Sequence, residues 1–479
     1  MTSIGQFTNF LARKRQRTFV EEVAMRRRNW TRRQFVRNTA AGVAGASLFG
    51  GFATASASGK EDAAKPAVLG GKPVRTKPWP RWPRWYPKTD EPRVLEVLRS
   101  GVWSRKSVVE EFERKWAAAL GAKRCLATTN GTHALITALR VLDVGPGDEV
   151  LTTPYTFIAT IDAILLNGAM PVFVDVDPET FQIDPSKIEA KITDRTRAIL
   201  PVHILGLPAD MPKILSIARK HNLKVVEDAC QAHLAEIRGK KVGTFGDFGA
   251  FSFQNSKNLP IGEGGALVSD DDALMDRAFS FHNFGRPYGT MVGDVSGQYV
   301  IVGTKCRTTE YQAAIGLAQL RRLEPETRLR HQNAEYLKSQ IQDIPGILPY
   351  RLVDGVTLAS FHLFPFRIDS KAFGGLSRDQ FLKALQAEGV PCSGGYRPLN
   401  TMPYLKDAFT SRLFQAFYSK DELDFDAYVE RNRCPANDRV CDETVWLPQY
   451  VLLGTRQDMD DIARAIRKIR EHAEEIAQA

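Results

Sequence analysis

The sequence predicts an α/β protein: a large domain on a mostly parallel sheet, followed by a smaller C-terminal α+β domain. Two observations predict it. Between residues 149 and 229, short runs rich in Val, Ile and Leu alternate with amphipathic stretches, the pattern of βαβ units. After about residue 325 the alternation stops, and long helical stretches mix with isolated strands. The chain of 479 residues is long enough for both parts, and 43% hydrophobic with 25% charged residues is ordinary for a globular protein.

The expected strands are EVLTTP (149–154), PVFVDV (171–176), RAILPVHI (197–204) and KVVEDA (224–229), with helices at 156–168, 184–192 and 210–222. Sheets of this kind bind ligands beyond the carboxyl ends of their strands, and Asp228 stands at one such end. In the second part, ETRLRHQNAEYLKSQIQ reads as a long amphipathic helix, FHLFPFRI (361–368) as a strand, and 377–390 and the stretch from Arg456 as helices. Residues 58–90 are rich in Pro and Trp. Five prolines from Pro78 to Pro92 oppose regular structure, so an extended arm is expected, anchored by Trp79, Trp82 and Trp85. Helices are expected next at 91–100 and 107–120. The chain is therefore divided into 1–57, 58–90, a large domain 91–325 and a small domain 326–479.

The net charge of +10 is concentrated at one end. Residues 1–57 hold ten Lys/Arg against two Asp/Glu, which leaves only +2 for the rest, so the body gives no electrostatic reason to expect nucleic acid. In RRRNWTRRQFVRNTAAGVAGASLFGGFATASASG, Arg32 and Arg33 precede Phe35 and an uncharged Ala/Gly-rich stretch from Asn38 to Ala57, with small residues at Ala53, Ala55 and Ala57. This is the arrangement of a twin-arginine signal. It implies the twin-arginine export machinery as a partner and a location in the periplasm or on the outer face of the cytoplasmic membrane, cytoplasmic if the signal is not used. No apolar run reaches the roughly 20 residues that span a bilayer. None of the six cysteines shows C-x-x-C spacing; Cys434 and Cys441 are close enough for a disulfide, with free buried thiols the competing expectation.

Four stretches carry candidate chemistry. Asp228 and Lys257 suit a pyridoxal phosphate enzyme, which needs an amine to bond the cofactor and a carboxylate to keep its ring nitrogen protonated. The bare pair also fits a helix cap and a surface charge. In TTNGTHAL (128–135), Asn130 or Thr129 caps a helix, and the amides of Gly131 and Thr132 favour a phosphate. In PYTFIAT (154–160), Phe157 is the candidate to stack on a flat ring, with Tyr155 next. Ser252, five residues before Lys257, has a hydroxyl for the phosphate site. The glycines of IGEGG (261–265) do not open a helix after a strand and so are no dinucleotide fingerprint.

Taken in order, the N-G-T loop, the aromatic loop, VVEDACQAH and GKKVGTFGDFGAFSFQNSKNLPIGEGGALVSDD resemble the DegT/StrS family of pyridoxal-phosphate sugar aminotransferases, of the aspartate aminotransferase fold type I. GPGDEV, PVFVDVDPET, PVHILGLPADM and EYQAAIGLAQL fit it too, so the resemblance runs from about residue 69 to 466. It implies pyridoxal 5'-phosphate as cofactor, with Lys257 forming the Schiff base and moving the proton. It implies that Asp228 pairs with the pyridine nitrogen, Gln231 lies near the phenolic oxygen, Phe157 stacks on the ring, and Gly131, Thr132 and Ser252 hold the phosphate. The implied reaction moves an amino group from glutamate or glutamine to a keto-sugar or related keto compound. Lys257 departs from the histidine of the dehydratases within this family. The alternative of another class is an exported binding protein on an aminotransferase fold.

One departure concerns Lys305. The family places an asparagine in a G-x-N-x-R segment that reaches the neighbouring subunit's phosphate; here the run is GTKCRTTEYQAA (303–314), with Lys305 in that place and Arg307 and Glu310 matching. The resemblance implies a homodimer, with Lys305 meeting the phosphate as a point charge.

Overall fold

The computed structural model describes residues 65–290 and 297–479; the expected export signal lies outside them. The first elements are α1 (Pro87–Ser100), α2 (Ser107–Leu120), β1 (Arg124–Thr128), α3 (Gly131–Val141), β2 (Glu149–Thr152), α4 (Ala159–Leu166), β3 (Met170–Phe173), β4 (Thr196–Leu200), α5 (Met211–Lys220) and β5 (Lys224–Asp228). Then come β6 (Glu236–Ile237), β7 (Lys240–Lys241), β8 (Phe248–Ser252), β9 (Gly265–Ser269), α6 (Asp272–His282) and the long α7 (Glu310–Ile341). The chain continues with β10 (Ile347–Pro349), β11 (Val356–Leu358), β12 (Leu363–Ile368), α8 (Arg378–Ala387) and β13 (Ser393–Gly394). Five short helices follow: α9 (Leu405–Thr410), α10 (Arg412–Phe417), α11 (Lys420–Leu423), α12 (Phe425–Arg431) and α13 (Pro435–Glu443). The chain closes with β14 (Thr444–Pro448), α14 (Arg456–Glu471) and α15 (Ala473–Gln478).

Seven strands form the central sheet in the order β1-β9-β8-β5-β4-β2-β3. The run from β3 to β8 is parallel, and β9 is antiparallel to both its neighbours. Both faces are covered: on β5 Val226 joins one apolar cluster and Val225 the other, and on β4 Ala198 and Leu200 face one and Ile199 the other. This explains the near-continuous apolar runs in these strands. A second, antiparallel sheet, β10-β12-β14-β13, belongs to the C-terminal part. The free edge of β3 is closed by side chains: the Phe173 amide donates to Asn432 Oδ1 at 2.7 Å, and Tyr428 Oη donates to the Pro171 carbonyl at 2.6 Å.

Several expectations are corrected. Residues 184–192 form two single 3-10 turns rather than a helix, since only Ile188 is buried there and no apolar stripe holds a longer one. α1 begins at Pro87, inside the expected arm, because a proline costs nothing at the first helical position and Asp90, accepting from the Tyr86 amide and from Arg322, fixes that turn. The boundary drawn at 325 falls inside the 32-residue α7, so no linker separates the two parts there. The arm is held by Trp79, whose Nε1 donates to the Gly389 carbonyl at 2.8 Å, and by Trp82, whose ring lies 5.1 Å from the Arg330 guanidinium. Trp85 is 38% exposed and anchors little. All six cysteines are free thiols, and burial pushes Cys434 and Cys441 up to about 12.

Glu227 ties the two central site-bearing strands. It is fully buried, and its carboxylate accepts from the amides of Gly243, Phe245 and Gly246 at 2.8, 2.6 and 2.8 Å and from His203 Nε2 at 2.9 Å. His203 Nδ1 accepts from the Ala209 amide, which makes Nε2 the nitrogen that carries the proton. The turn 243–246 leads directly into β8. Glu227→Ala, which leaves these donors buried and unpaired, is expected to cost about 3–5 kcal/mol, measured as a lowered urea midpoint.

Candidate active site

Asp228 is the last residue of β5 and 5% exposed. Its Oδ2 accepts from Thr160 Oγ1 at 2.8 Å and its Oδ1 from the Cys230 amide at 3.1 Å. Asp228 pairs in register with Ala250, two residues before Ser252, which ends β8. Beyond Ser252 the chain makes a turn in which the Lys257 amide donates to the Gln254 carbonyl at 2.8 Å. The loop is closed at its base, Phe253 donating to the Gly264 carbonyl and accepting from the Ile261 amide. Asn258 Nδ2 donates to the Ser360 carbonyl at 2.8 Å and pins the loop to the C-terminal part. Lys257 is thus held beside Asp228, and burial lowers its amine below the usual lysine range against the pull of Cys230 and Asp228.

Asn130 caps α3, its Oδ1 accepting from the His133 amide at 2.8 Å. The amides of Gly131 and Thr132 have no protein acceptor among the described residues. Gly131 lies where backbones crowd: a Cβ there would stand 2.6 Å from Cys230 Sγ and 2.9 Å from Ser252 Cβ. A Cβ on Gly265 would meet the Gly131 nitrogen at 2.6 Å. The helix N-terminus, the end of β8 and the segment after Asp228 therefore converge on one cradle, whose two free amides and serine hydroxyl suit a phosphate. This is the fit that pyridoxal phosphate requires: a phosphate cradle, a carboxylate and an amine in one pocket.

Phe157 precedes α4 and is 57% exposed, available to a ligand. Tyr155, the second choice, is fully buried against Tyr396 and Trp446, with ring centroids 5.3 and 6.3 Å away, and serves the core. Gln231 Oε1 accepts from the Leu205 amide at 2.9 Å and Nε2 donates to Tyr396 Oη at 2.8 Å, which leaves one amide hydrogen. The structure brings Lys257, Asp228, Gln231, Ser252, Gly131 and Thr132 together, with Phe157 on the segment that also holds Thr160.

Lys305 lies on the segment that runs beside the end of β1. It is exposed, bridged to Asn283, and makes no ion pair among the described residues. Its segment runs along this chain's own β1, where Arg307 pairs with Thr128 and the Thr129 amide donates to the Cys306 carbonyl at 2.9 Å.

Four further residues belong to the site. Thr160 touches Asp228, and Tyr396 touches Gln231. Cys230 faces the glycine of the cradle. His362 is buried, with its Nδ1 unpartnered among the described residues; burial, followed by the nearby Lys257, His233 and Arg330, keeps its imidazole neutral well below the usual histidine range. Thr160 was within reach of sequence reasoning, because it follows Phe157 by three residues in a helical segment. Tyr396 and His362 lie more than 100 residues along the chain from Lys257, with no local signal. Among the described residues, no group of three or more His, Cys, Asp or Glu could hold a metal.

The chain is 35% identical over 426 residues to the L-glutamine:2-deoxy-scyllo-inosose aminotransferase of Streptoalloteichus tenebrarius, an alignment covering 86% of this chain and 98% of that protein. It is 34% identical over 426 residues to the L-glutamine:scyllo-inosose aminotransferase of Streptomyces griseus, covering 86% and 99%. Among solved structures, 3-amino-5-hydroxybenzoic acid synthase superposes with a TM-score of 0.72 at 32% identity, covering 85% of this chain and all of that one. Residues 87–467 match the DegT/DnrJ/EryC1/StrS aminotransferase family, and with relatives aligned over almost their whole length the chain belongs to that family.

Proposed function

We propose that the protein binds pyridoxal 5'-phosphate at Lys257 and transfers an amino group from L-glutamine to a ketone on a sugar or cyclitol ring. The observation that carries this reading is the meeting of Lys257 with Asp228 beside the cradle of Gly131, Thr132 and Ser252. The glutamine donor and the inosose-like acceptor come from the names of the relatives. When bound, the cofactor supplies the aldehyde that carries the amino group and the ring that accepts electrons. Lys257 attaches it through an amine that burial keeps available in its neutral form, and the same amine moves the proton at the substrate carbon. Asp228 holds the ring nitrogen protonated. Phe157 covers a ring face, Gln231 uses its remaining amide hydrogen at the phenolic oxygen, and the two free amides with Ser252 hold the phosphate.

Lys305 is an exposed cation with no ion pair among the described residues, flanked by exposed apolar residues, among them Tyr299 and Val302, the latter 84% exposed. A homodimer in which this segment lies against a second copy would bury them and bring Lys305 to the partner's phosphate. The twin-arginine reading of residues 1–57 completes the proposal: a folded, cofactor-loaded enzyme is the kind of cargo that route carries.

Three outcomes are expected. The purified protein takes up pyridoxal phosphate and shows a visible band that L-glutamine bleaches, and Lys257→Ala abolishes that response; a wild type that cannot be loaded sinks the reading. The rate at which the emptied protein is reloaded rises with pH through a midpoint below 10.5, because the neutral amine is the reacting form and burial lowers its pKa. Mixing Lys257→Ala with Lys305→Ala subunits restores activity above that of either alone, since one site of the mixed dimer then has both lysines; no recovery would place Lys305 outside the partner's site.

A further inference from the structure

The PYTFIAT segment does more than present Phe157. Thr156 and Thr160 flank it, each 1% exposed, with their Oγ1 atoms 2.8 Å apart. Thr160 Oγ1 also lies 2.8 Å from Asp228 Oδ2. An ionised carboxylate only accepts, so Thr160 must donate its single hydrogen to Asp228. Thr160 then has no hydrogen left for Thr156, and the contact between the two hydroxyls requires Thr156 to donate. The direction of the chain is fixed: Thr156 to Thr160 to Asp228. A proton on Oδ2 would have to reverse it or break it.

We propose that Thr160 is a positioning residue for the aminotransferase reaction, with Thr156 behind it, and that the two hydroxyls hold Asp228 as an ionised acceptor turned toward the ring nitrogen of the cofactor. The inference rests on the functional reading given above and deepens it. With Oδ2 taking Thr160 and Oδ1 taking the Cys230 amide, the carboxylate cannot rotate without losing one of them. Each oxygen keeps a second lone pair, so the ring N–H still finds an acceptor. Hydrogen bonds to the charged form favour it, and successive hydroxyls polarise one another in a low dielectric. The other titratable groups facing Asp228 are Lys257 from the loop after β8, Cys230 on the adjoining segment and Tyr396 from the loop after β13. Cys230 and Tyr396 are both pushed up by burial and stay neutral, and the Lys257 amine is the group that would hold the cofactor. The threonine chain does not depend on that amine. Because Phe157 sits between the two threonines, a single turn of chain sets both the ring face and the ring-nitrogen acid.

The test compares wild type, Thr160→Val, Thr160→Ser, Thr156→Val and the double valine variant, each loaded with pyridoxal phosphate. Three quantities are measured: the visible band as a function of pH, the cofactor dissociation constant by equilibrium dialysis, and kcat and KM with L-glutamine. In Thr160→Val the carboxylate loses a donor, and the visible band and its pH profile depart from wild type. The dissociation constant rises and kcat falls about tenfold or more, the range of one hydrogen bond to a charged group, while KM for glutamine changes little. Thr160→Ser keeps the wild-type band and profile. Thr156→Val alone changes each value about twofold to threefold, and the double variant is no worse than Thr160→Val, because the second link has no purpose without the first. Melting curves check folding; if Thr160→Val is misfolded, Thr160→Ala removes the same hydroxyl with less bulk. A Thr160→Val protein whose band and cofactor affinity match wild type, or a serine that fails to rescue, overturns the chain alone. A wild type that neither takes up the cofactor nor responds to glutamine overturns the aminotransferase reading itself.

Discussion

A fully buried carboxylate organises the centre of this protein. Glu227 receives four hydrogen bonds, three from the turn that opens β8 and one from His203 after β4. A charge in such a place is tolerable only when its lone pairs are filled, so the turn, the strand and the histidine hold one arrangement or lose the bonds together. Side chains alternate across a strand, so the neighbouring Asp228 faces the opposite side of the sheet. One carboxylate locks β5 to β8 from below, and the other works above. The position of Lys257 follows from that lock, because Lys257 stands only five residues beyond the end of β8.

Close approach is the second constraint. The cradle exists because Gly131 and Gly265 bring backbones nearer than any Cβ permits, and Gly243 does the same under the Glu227 turn, where a side chain would strike the Phe251 ring at 2.4 Å. At Gly243 the backbone is also left-handed, with φ +84°. The free amides of α3 are the result. They face Ser252 and Cys230, and a group that fills the space must bring its own acceptors.

The C-terminal part contributes less chemistry and more confinement. Tyr396 reaches Gln231, Ser360 accepts from Asn258 next to Lys257, and His362 adds a neutral imbalance of donors and acceptors nearby. The arm closes over the opposite side, with Arg75 bonded to Asp458 at 2.7 Å and Asp461 at 3.0 Å while its guanidinium stacks 3.9 Å from Trp79. Arg330, fully buried beneath Trp82, links this cover to the site, since it is also among the charges that bear on His362.

Sequence alone determined the mostly parallel sheet, the capped helix after β1, and the placing of Asp228 at a strand end, because periodicity and capping are local and each is written in a few adjacent residues; that β8 stops at Ser252, with Lys257 in the turn beyond, it did not. The family resemblance rests on the same local runs. Tertiary structure decided which elements meet, that Tyr155 is core while Phe157 faces outward, and that the Lys305 segment runs along β1. It also decided that a single helix runs through residue 325 and that residues 184–192 coil into two short turns. None of this has a local signature: it depends on which buried faces find partners, and on polar contacts such as Thr160 with Asp228 and Gln231 with Tyr396 that join residues 68 and 165 positions apart. Such pairings are set by how the layers pack, since a buried polar group must take whatever partner the packing places within reach.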